Sequence, residues 1–231
     1  MFSIIIPTYN EADQIAQTIK KAHAANGKHE AEIIVVDGGS TDNTISVAQD
    51  CGATVINSER KGRAAQMNKG ASVATYQLLY FLHADSIPPT GFTSQILHAY
   101  EKGIKSGCFR LAFDYDHWFL KANAWFTRFN VNAVRFGDQS LFTTKEVFQK
   151  AGGFREDLLM MEDQEIIHRL KKHGPFTVLN DYVITSARKY LDNGIYKMQG
   201  IFYGLWAMYY LGYSQQQMLK VHRKLIRKHK L

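Results

Sequence analysis

Glu32-Ile33-Ile34-Val35-Val36 runs unbroken into Asp37-Gly38-Gly39-Ser40-Thr41-Asp42, and apolar residues then return at helical spacing through Ile45 and Ala48. A continuous apolar run suits a strand buried on both faces, and turn formers followed by helical spacing suit a strand–turn–helix unit. Ser40 or Thr41 is the expected cap of that helix. The unit recurs on both sides of this stretch. Residues 2–6 are apolar, Pro7 follows, and Glu11–Ala25 carries Ile15, Ile19 and Ala22 at helical spacing. Ala53–Ile56 precedes Arg60-Lys61-Gly62-Arg63 and a helix through Ala64, Met67, Ala71 and Ala74. A fourth run, Gln77–Leu82, ends at His83-Ala84-Asp85. Continuous strands alternating with helices predict an α/β fold with a mostly parallel central sheet flanked by helices.

In such sheets ligands bind beyond the carboxyl ends of the strands. Asn10, Glu11, Asp37, Lys61, Arg63 and Asp85 all fall at those ends, and their convergence weighs more than any one of them. After Gly107 the alternation loosens. Cys108–Phe113 reads as a strand, Trp118–Phe129 as an aromatic helix, and Phe136–Phe142 as a short strand interrupted by Gly137-Asp138-Gln139. Polar residues inside an apolar strand point to a cleft. Lys145–Ala151 reads as a helix ended by Gly152-Gly153, and Met160-Met161-Glu162-Asp163 opens another that stops at Gly174-Pro175. No internal repeat or long linker divides the chain.

The 231 residues are 45% hydrophobic, enough for a proper core. Cys51 and Cys108 lack metal or disulfide spacing, which fits a reducing, cytoplasmic setting. Met1–Pro7 has no basic leader and reads as a first strand, not a secretion signal. The net charge of +7 is local: Lys220–Leu231 holds six Lys/Arg and no acid, leaving +1 for everything before it. A tail of that kind suits an anionic membrane surface and not a nucleic-acid-binding domain. Six of the thirteen residues Ile201–Tyr213 are aromatic, in a segment too short to span a bilayer. Two readings stay open for it: packing on the domain, or docking at a membrane interface through residues 200–231.

Read together, Ile6-Pro7-Thr8-Tyr9-Asn10-Glu11, Asp37–Asp42, Lys61-Gly62-Arg63, Leu82-His83-Ala84-Asp85 and Glu162-Asp163 occur in the order found in family 2 glycosyltransferases. The chain resembles that family, whose fold is GT-A, over about residues 2–190. Leu82–Ser86, Gly137–Gln139 and Met161–Asp163 resemble a subgroup of small bacterial enzymes. The resemblance implies a glycosyltransferase domain over 1–195, with a nucleotide-sugar half (1–105) and an acceptor and catalytic half (106–195). Residues 196–231 would add an aromatic helix and a basic tail.

By this resemblance, Pro7, Thr8 and Tyr9 would wall the base of the donor, Glu11 would reach a ribose hydroxyl, and Asp37 and Gly39 would meet the nucleotide. A carboxylate at Asp37 accepts from an N–H such as uracil's, which favours a UDP-sugar; a turn-capping role also remains open to it. Lys61 and Arg63 would contact the diphosphate, since cations gain nothing from a helix N-terminus otherwise. Asp85 would hold Mg²⁺ or Mn²⁺, because one carboxylate suffices when substrate phosphates and water complete the shell. His83 would be a second ligand, a phosphate donor, or a histidine packed beside the site. Asp163 would take the acceptor proton and Glu162 would assist it. Gly137, Asp138 and Gln139 would recognise sugar or acceptor, and Arg188 would fold over the diphosphate.

The implied reaction is metal-assisted single displacement with inversion, from a nucleoside-diphosphate sugar to a lipid-like acceptor, by a cytoplasmic protein at the inner membrane face. Two alternatives stand beside it: a nucleotidyltransferase, which usually carries a glycine-rich loop where this chain has Pro7-Thr8-Tyr9-Asn10, and a non-catalytic, membrane-associated nucleotide-sugar-binding protein. A dinucleotide oxidoreductase is disfavoured, because no strand leads into a Gly-x-Gly-x-x-Gly turn.

Overall fold

The structure, a computed structural model, describes residues 1–135 and 137–226. The first half repeats the strand–helix unit: β1 (Phe2–Thr8), α1 (Ala12–Ala25), β2 (Ala31–Asp37), α2 (Thr44–Asp50), β3 (Thr54–Asn57), α3 (Arg63–Val73) and β4 (Leu78–Phe81). A two-residue strand β5 (Ser86–Ile87), α4 (Phe92–Glu101) and β6 (Ser106–Phe113) follow, and then the aromatic helix α5 (Trp118–Trp125). The chain continues through β7 (Leu141–Thr144), α6 (Lys145–Lys150), α7 (Glu162–Leu170), β8 (Phe176–Thr185), α8 (Arg188–Asn193), α9 (Ile195–Tyr210) and α10 (Gln215–Leu225). Among the described residues the strands form one sheet in the order β3-β2-β1-β4-β7-β6-β8-β5. The pairs β3/β2, β2/β1, β1/β4 and β6/β8 are parallel, and β7 and β5 run antiparallel to their neighbours.

Strand alternation divides β1 between two cores. Phe2, Ile4 and Ile6 pack with Ile15, Ile19, Phe92 and Ile96 of α1 and α4 on one face. Ile5 meets Met67, Phe148 and Ile166 of α3, α6 and α7 on the other. A third core joins Leu120, Met160, Ala187 and Tyr190 to Met198, Ile201, Leu205 and Met218. The aromatic helix α9 thus packs on the domain through its apolar side, and the segment from residue 196 onward shares a core with residues before it. No helix of the described residues is long and apolar enough to cross a membrane. Of the six tail cations, Lys220, Arg223 and Lys224 close α10, whereas Arg227, Lys228 and Lys230 lie outside the described residues.

Three local expectations are corrected. Neither Ser40 nor Thr41 caps α2: Asn43 precedes the helix, and Asp42 accepts from the Thr44 backbone N–H at 3.0 Å. Residues 136–142 are not one strand, for Gly137–Gln139 forms a 3₁₀ turn and only Leu141 onward pairs in the sheet; Phe136 lies outside the described residues. Phe176–Thr185, with four exposed positions, is a ten-residue strand whose apolar signal is diluted because its outer part faces solvent.

Candidate active site

Parallel register brings the strand ends together: Thr8 stands beside Asp37, and Asp37 beside Asn57. The β2–α2 turn is organised by Asp37. Its Oδ2 accepts from the backbone N–H groups of Gly39 and Ser40, both at 2.8 Å, and its Oδ1 accepts from the Ser40 hydroxyl at 2.5 Å. The turn is stitched to the end of β1, because the Asn10 N–H donates to Ser40 Oγ at 2.8 Å and the Glu11 N–H to Thr44 Oγ1 at 2.8 Å. Gln66 of α3 donates its buried amide to the carbonyls of Thr8 (2.7 Å) and Val36 (2.8 Å). Of the residues expected to wall the base, Pro7 and Thr8 are buried and Tyr9 is exposed; Gly39 is exposed, with a positive φ of 92°.

The antiparallel insertion of β7 builds the other half. Phe81 pairs with Leu141, so β7 enters the sheet at the edge where β4 leaves it. That register sets Gly137–Ser140 against His83–Asp85. His83 Nδ1 stands 2.8 Å from Asp138 Oδ1. Burial, which opposes a charged imidazole, is outweighed by that hydrogen bond and by the charges of Asp138 and Asp163, so His83 is held above its ordinary value. Asp138 is held well below the usual carboxylate range: its burial is outweighed by the His83 hydrogen bond and charge, helped by Lys189 and Arg63. Asp85 is pushed up by burial and then by the charge of Asp138.

At the start of α7, Met161 adopts a left-handed φ of 66°, turning Glu162 and Asp163 toward α3. Arg63 bridges them: its Nε donates to Glu162 Oε1 at 2.5 Å, and its Nη2 lies 3.0 Å from Asp163 Oδ2. Glu162 is 1% exposed and Asp163 is 17% exposed, so only Asp163 reaches the cleft to any degree. Burial pushes the Glu162 carboxyl up, against the pull of Arg63. Its Oε2 is buried without a hydrogen-bond partner among the described residues. Gly137 lies so close to this pair that a Cβ there would fall 2.8 Å from Asp163 Cγ, closer still to Oδ2, and 3.3 Å from His83 Cε1. At the front of the cleft, Arg188 Nη2 reaches Glu11 Oε2 at 3.2 Å, across 177 positions of sequence.

The structure therefore brings Glu11, Arg63, His83, Asp85, Gly137, Asp138, Glu162, Asp163 and Arg188 into one cleft. Three expected site residues are placed differently. Gln139 is fully buried, its amide donating to the Phe109 carbonyl at 2.8 Å, so it anchors the turn from within. Arg63 is spent on two carboxylates and does not stand free for a diphosphate. Lys61 is exposed on the loop before α3. Gln66 and Lys189 carry no motif, yet the first ties α3 to two strand ends and the second places its charge near Asp85 and Asp138. The only sequence signal for Lys189 was its place beside Arg188.

A divalent cation fits this chemistry. Glu11, Asp85, Asp138 and Asp163 crowd carboxylates around one cleft, and Asp85 feels Asp138 and Glu11 as like charges. Among the described residues no three His, Cys, Asp or Glu side chains form a ready-made cage, which matches an ion held by one or two carboxylates and substrate phosphates.

Residues 3–159 match the model of a family described as Glycosyl transferase family 2. An uncharacterized glycosyltransferase of Mycobacterium tuberculosis is 35% identical over 85 residues, which cover 36% of this chain and 32% of that protein. The chain thus spans about a third of the length of the curated relatives it matches. Among solved structures, a mannosyltransferase from Pyrobaculum calidifontis in complex with GDP-Man and Mn²⁺ superposes with a TM-score of 0.70 at 18% identity, over 87% of this chain and 61% of that one. Residues 1–349 of S. aureus TarS in complex with UDP give 0.68 at 18% identity, over 80% and 60%. These likenesses show the fold, which is GT-A.

Proposed function

Since this chain belongs to glycosyl transferase family 2, we propose that it moves a sugar from a nucleoside-diphosphate sugar to an acceptor hydroxyl, with Asp163 as the base. The observation that carries this reading is the meeting of Asp163, His83, Asp85 and Asp138 in one cleft beside the nucleotide-type strand ends. The acceptor oxygen attacks the anomeric carbon and its proton passes to the Asp163 carboxylate. The bond from that carbon to the diphosphate oxygen breaks, the oxygen keeps the electron pair, and a single displacement inverts the configuration. Arg63 holds Asp163 in position, and Glu162 anchors Arg63 from the buried side.

Asp85 would hold Mg²⁺ or Mn²⁺, with His83 and Asp138 beside it. Such an ion supplies Lewis acidity that neutralises the leaving diphosphate. The mannosyltransferase whose fold this chain shares was solved with Mn²⁺. Tyr9 and the turn around Asp37 and Gly39 would hold the base. Three donors already fill Asp37, but a carboxylate offers about four acceptor sites, which leaves one for the N–H of uracil. Lys61, Lys189 and Arg188 would meet the phosphates. The exposed tyrosines of α9 and the cations that end α10 support a lipid-like acceptor and an anionic surface. The two free cysteines support the cytoplasmic side of that surface.

Thermal shift with UDP, with and without Mn²⁺, tests the donor site. At a ligand concentration about a hundred times Kd the melting point should rise by about 5–10 °C. Asp85→Asn should abolish the metal-dependent part. Asp163→Asn should keep the shift and lose transfer. No stabilisation by any nucleoside diphosphate under any metal condition would overturn the reading.

A further inference from the structure

The outward side of α5 is apolar, although a surface helix normally turns polar residues to water. Its inner side, Leu120, Ala124 and Thr127, packs on β6. Its outer side carries Trp118, Ala122, Trp125 and Phe129 at helical spacing, all exposed, with Phe126 beside them. Trp118 is 67% exposed and Phe126 49%. The stripe does not end with the helix. Tyr196 at the start of α9 lies 6.4 Å from Trp118, ring to ring, and Tyr203 donates its hydroxyl to Asn123 Oδ1 at 2.6 Å. Trp125, Phe126 and Phe129 pack on one another at 5.1–6.5 Å, and the Arg128 guanidinium stacks 4.5 Å over Trp125. One aromatic face thus spans two helices, and large exposed patches of this kind mark interaction sites.

The charge around this face has one sign. Residues 117–137 contain Lys121, Arg128 and Arg135 and no acid. From residue 193 to the last there is again no acid, and seven Lys/Arg. The nearest acid is Asp116, at the edge, paired with Lys121 at 2.6 Å. Tryptophan, tyrosine and phenylalanine flanked by arginine and lysine suit the headgroup level of an anionic bilayer, where rings enter the interface and cations meet lipid phosphates.

The face also adjoins the cleft from two directions. The chain leaving α5 runs directly into Gly137–Asp138, and Tyr210 at the end of α9 places its hydroxyl 3.5 Å from Oε1 of Gln164, the neighbour of Asp163. We infer that the outer face of α5, with Tyr196 and Tyr203 of α9, seats the protein on an anionic lipid surface and presents the Asp163 side of the cleft to acceptors embedded there. This rests on the lipid-like acceptor proposed above. Vesicle binding is read without donor, so it can fail while the donor site stands, and the reverse.

The test uses the full chain and vesicles of phosphatidylcholine alone or mixed with phosphatidylglycerol. The wild type should float with the anionic vesicles, and its tryptophan emission should shift to the blue, since Trp118 and Trp125 are two of three tryptophans. Trp118→Ser, Trp125→Ser and Phe126→Ser combined should lower the bound fraction about tenfold while leaving the UDP thermal shift in place. Tyr100→Ser, at an exposed aromatic on α4, should change nothing. Binding by the triple variant equal to wild type, binding without a blue shift, or no binding to either vesicle would overturn the inference. A dimer in light scattering that the triple variant loses, with no vesicle binding, would assign the face to a second copy instead.

Discussion

Replacing Gly137 by alanine adds one methyl group at the most crowded point of the cleft. The added Cβ would stand 2.8 Å from Asp163 Cγ, closer still to Oδ2, and 3.3 Å from His83 Cε1. Gly137 is not among the positive-φ glycines, so the demand for glycine is one of space and not of backbone conformation. Asp163 is held by Arg63 and Gly137 is tied into the 3₁₀ turn, so the strain cannot be relieved by a flexible chain end. Overpacking of this kind costs about 1–3 kcal/mol, or a melting point lower by roughly 2–10 °C for a chain of this size. The larger effect is on chemistry, since a displacement of about 1 Å at a reacting group costs on the order of a hundredfold in rate. Donor turnover, followed as release of nucleoside diphosphate, should therefore fall about a hundredfold while the UDP thermal shift persists. Gly107→Ala provides the contrast: its Cβ would meet Thr177 O at 2.5 Å and Phe142 Cε1 at 2.6 Å in the core, so stability should fall more than turnover per folded molecule. A Gly137→Ala protein that turns over at the wild-type rate would refute the role of that contact in placing Asp163.

Other perturbations have equally definite outcomes. Gly200→Ala and Gly204→Ala, where a Cβ meets nothing within 4 Å, should each stabilise α9 by about 0.5–1 kcal/mol in urea unfolding; destabilisation would mean a covered face. Arg63→Met leaves Glu162 buried without its cation and should cost about 3–5 kcal/mol near neutrality. That carboxyl is already raised by burial and loses its opposing cation, so the cost should grow as pH rises from the ordinary glutamate value and vanish below it; a pH-independent loss would contradict this. Burial pushes the Cys108 thiol up to about 11, so at pH 8 about one molecule in a thousand carries the thiolate. A thiol reagent should titrate half-buried Cys51 in the native protein and both cysteines only after unfolding; rapid reaction of both would argue against a closed core at β6.

The first half of the molecule was legible because its signals are local. Ile33–Val36 could only be a strand buried on both faces, and the turn after it had to follow. The list of acids at the strand ends could be written down for the same reason. What each acid touches could not be listed, because those contacts join positions far apart in the chain. Arg63 was assigned to a diphosphate on charge alone, yet it binds Glu162 and Asp163, 99 and 100 positions later. Gln139 read as a recognition residue from its neighbours, yet the turn rotates it inward to Phe109.

The amino-acid pattern by itself determined the alternation of strands and helices, the polar strand ends, and the presence of carboxylates suited to a metal and a base. Each follows from periodicity and residue type, which act within a few positions. The tertiary structure alone decided that β7 enters antiparallel beside β4, so that Asp138 meets His83, and that α9 buries one side against α5 and α8 while leaving an aromatic face on both helices. Register and packing arise from contacts between distant segments, and no local rule encodes them.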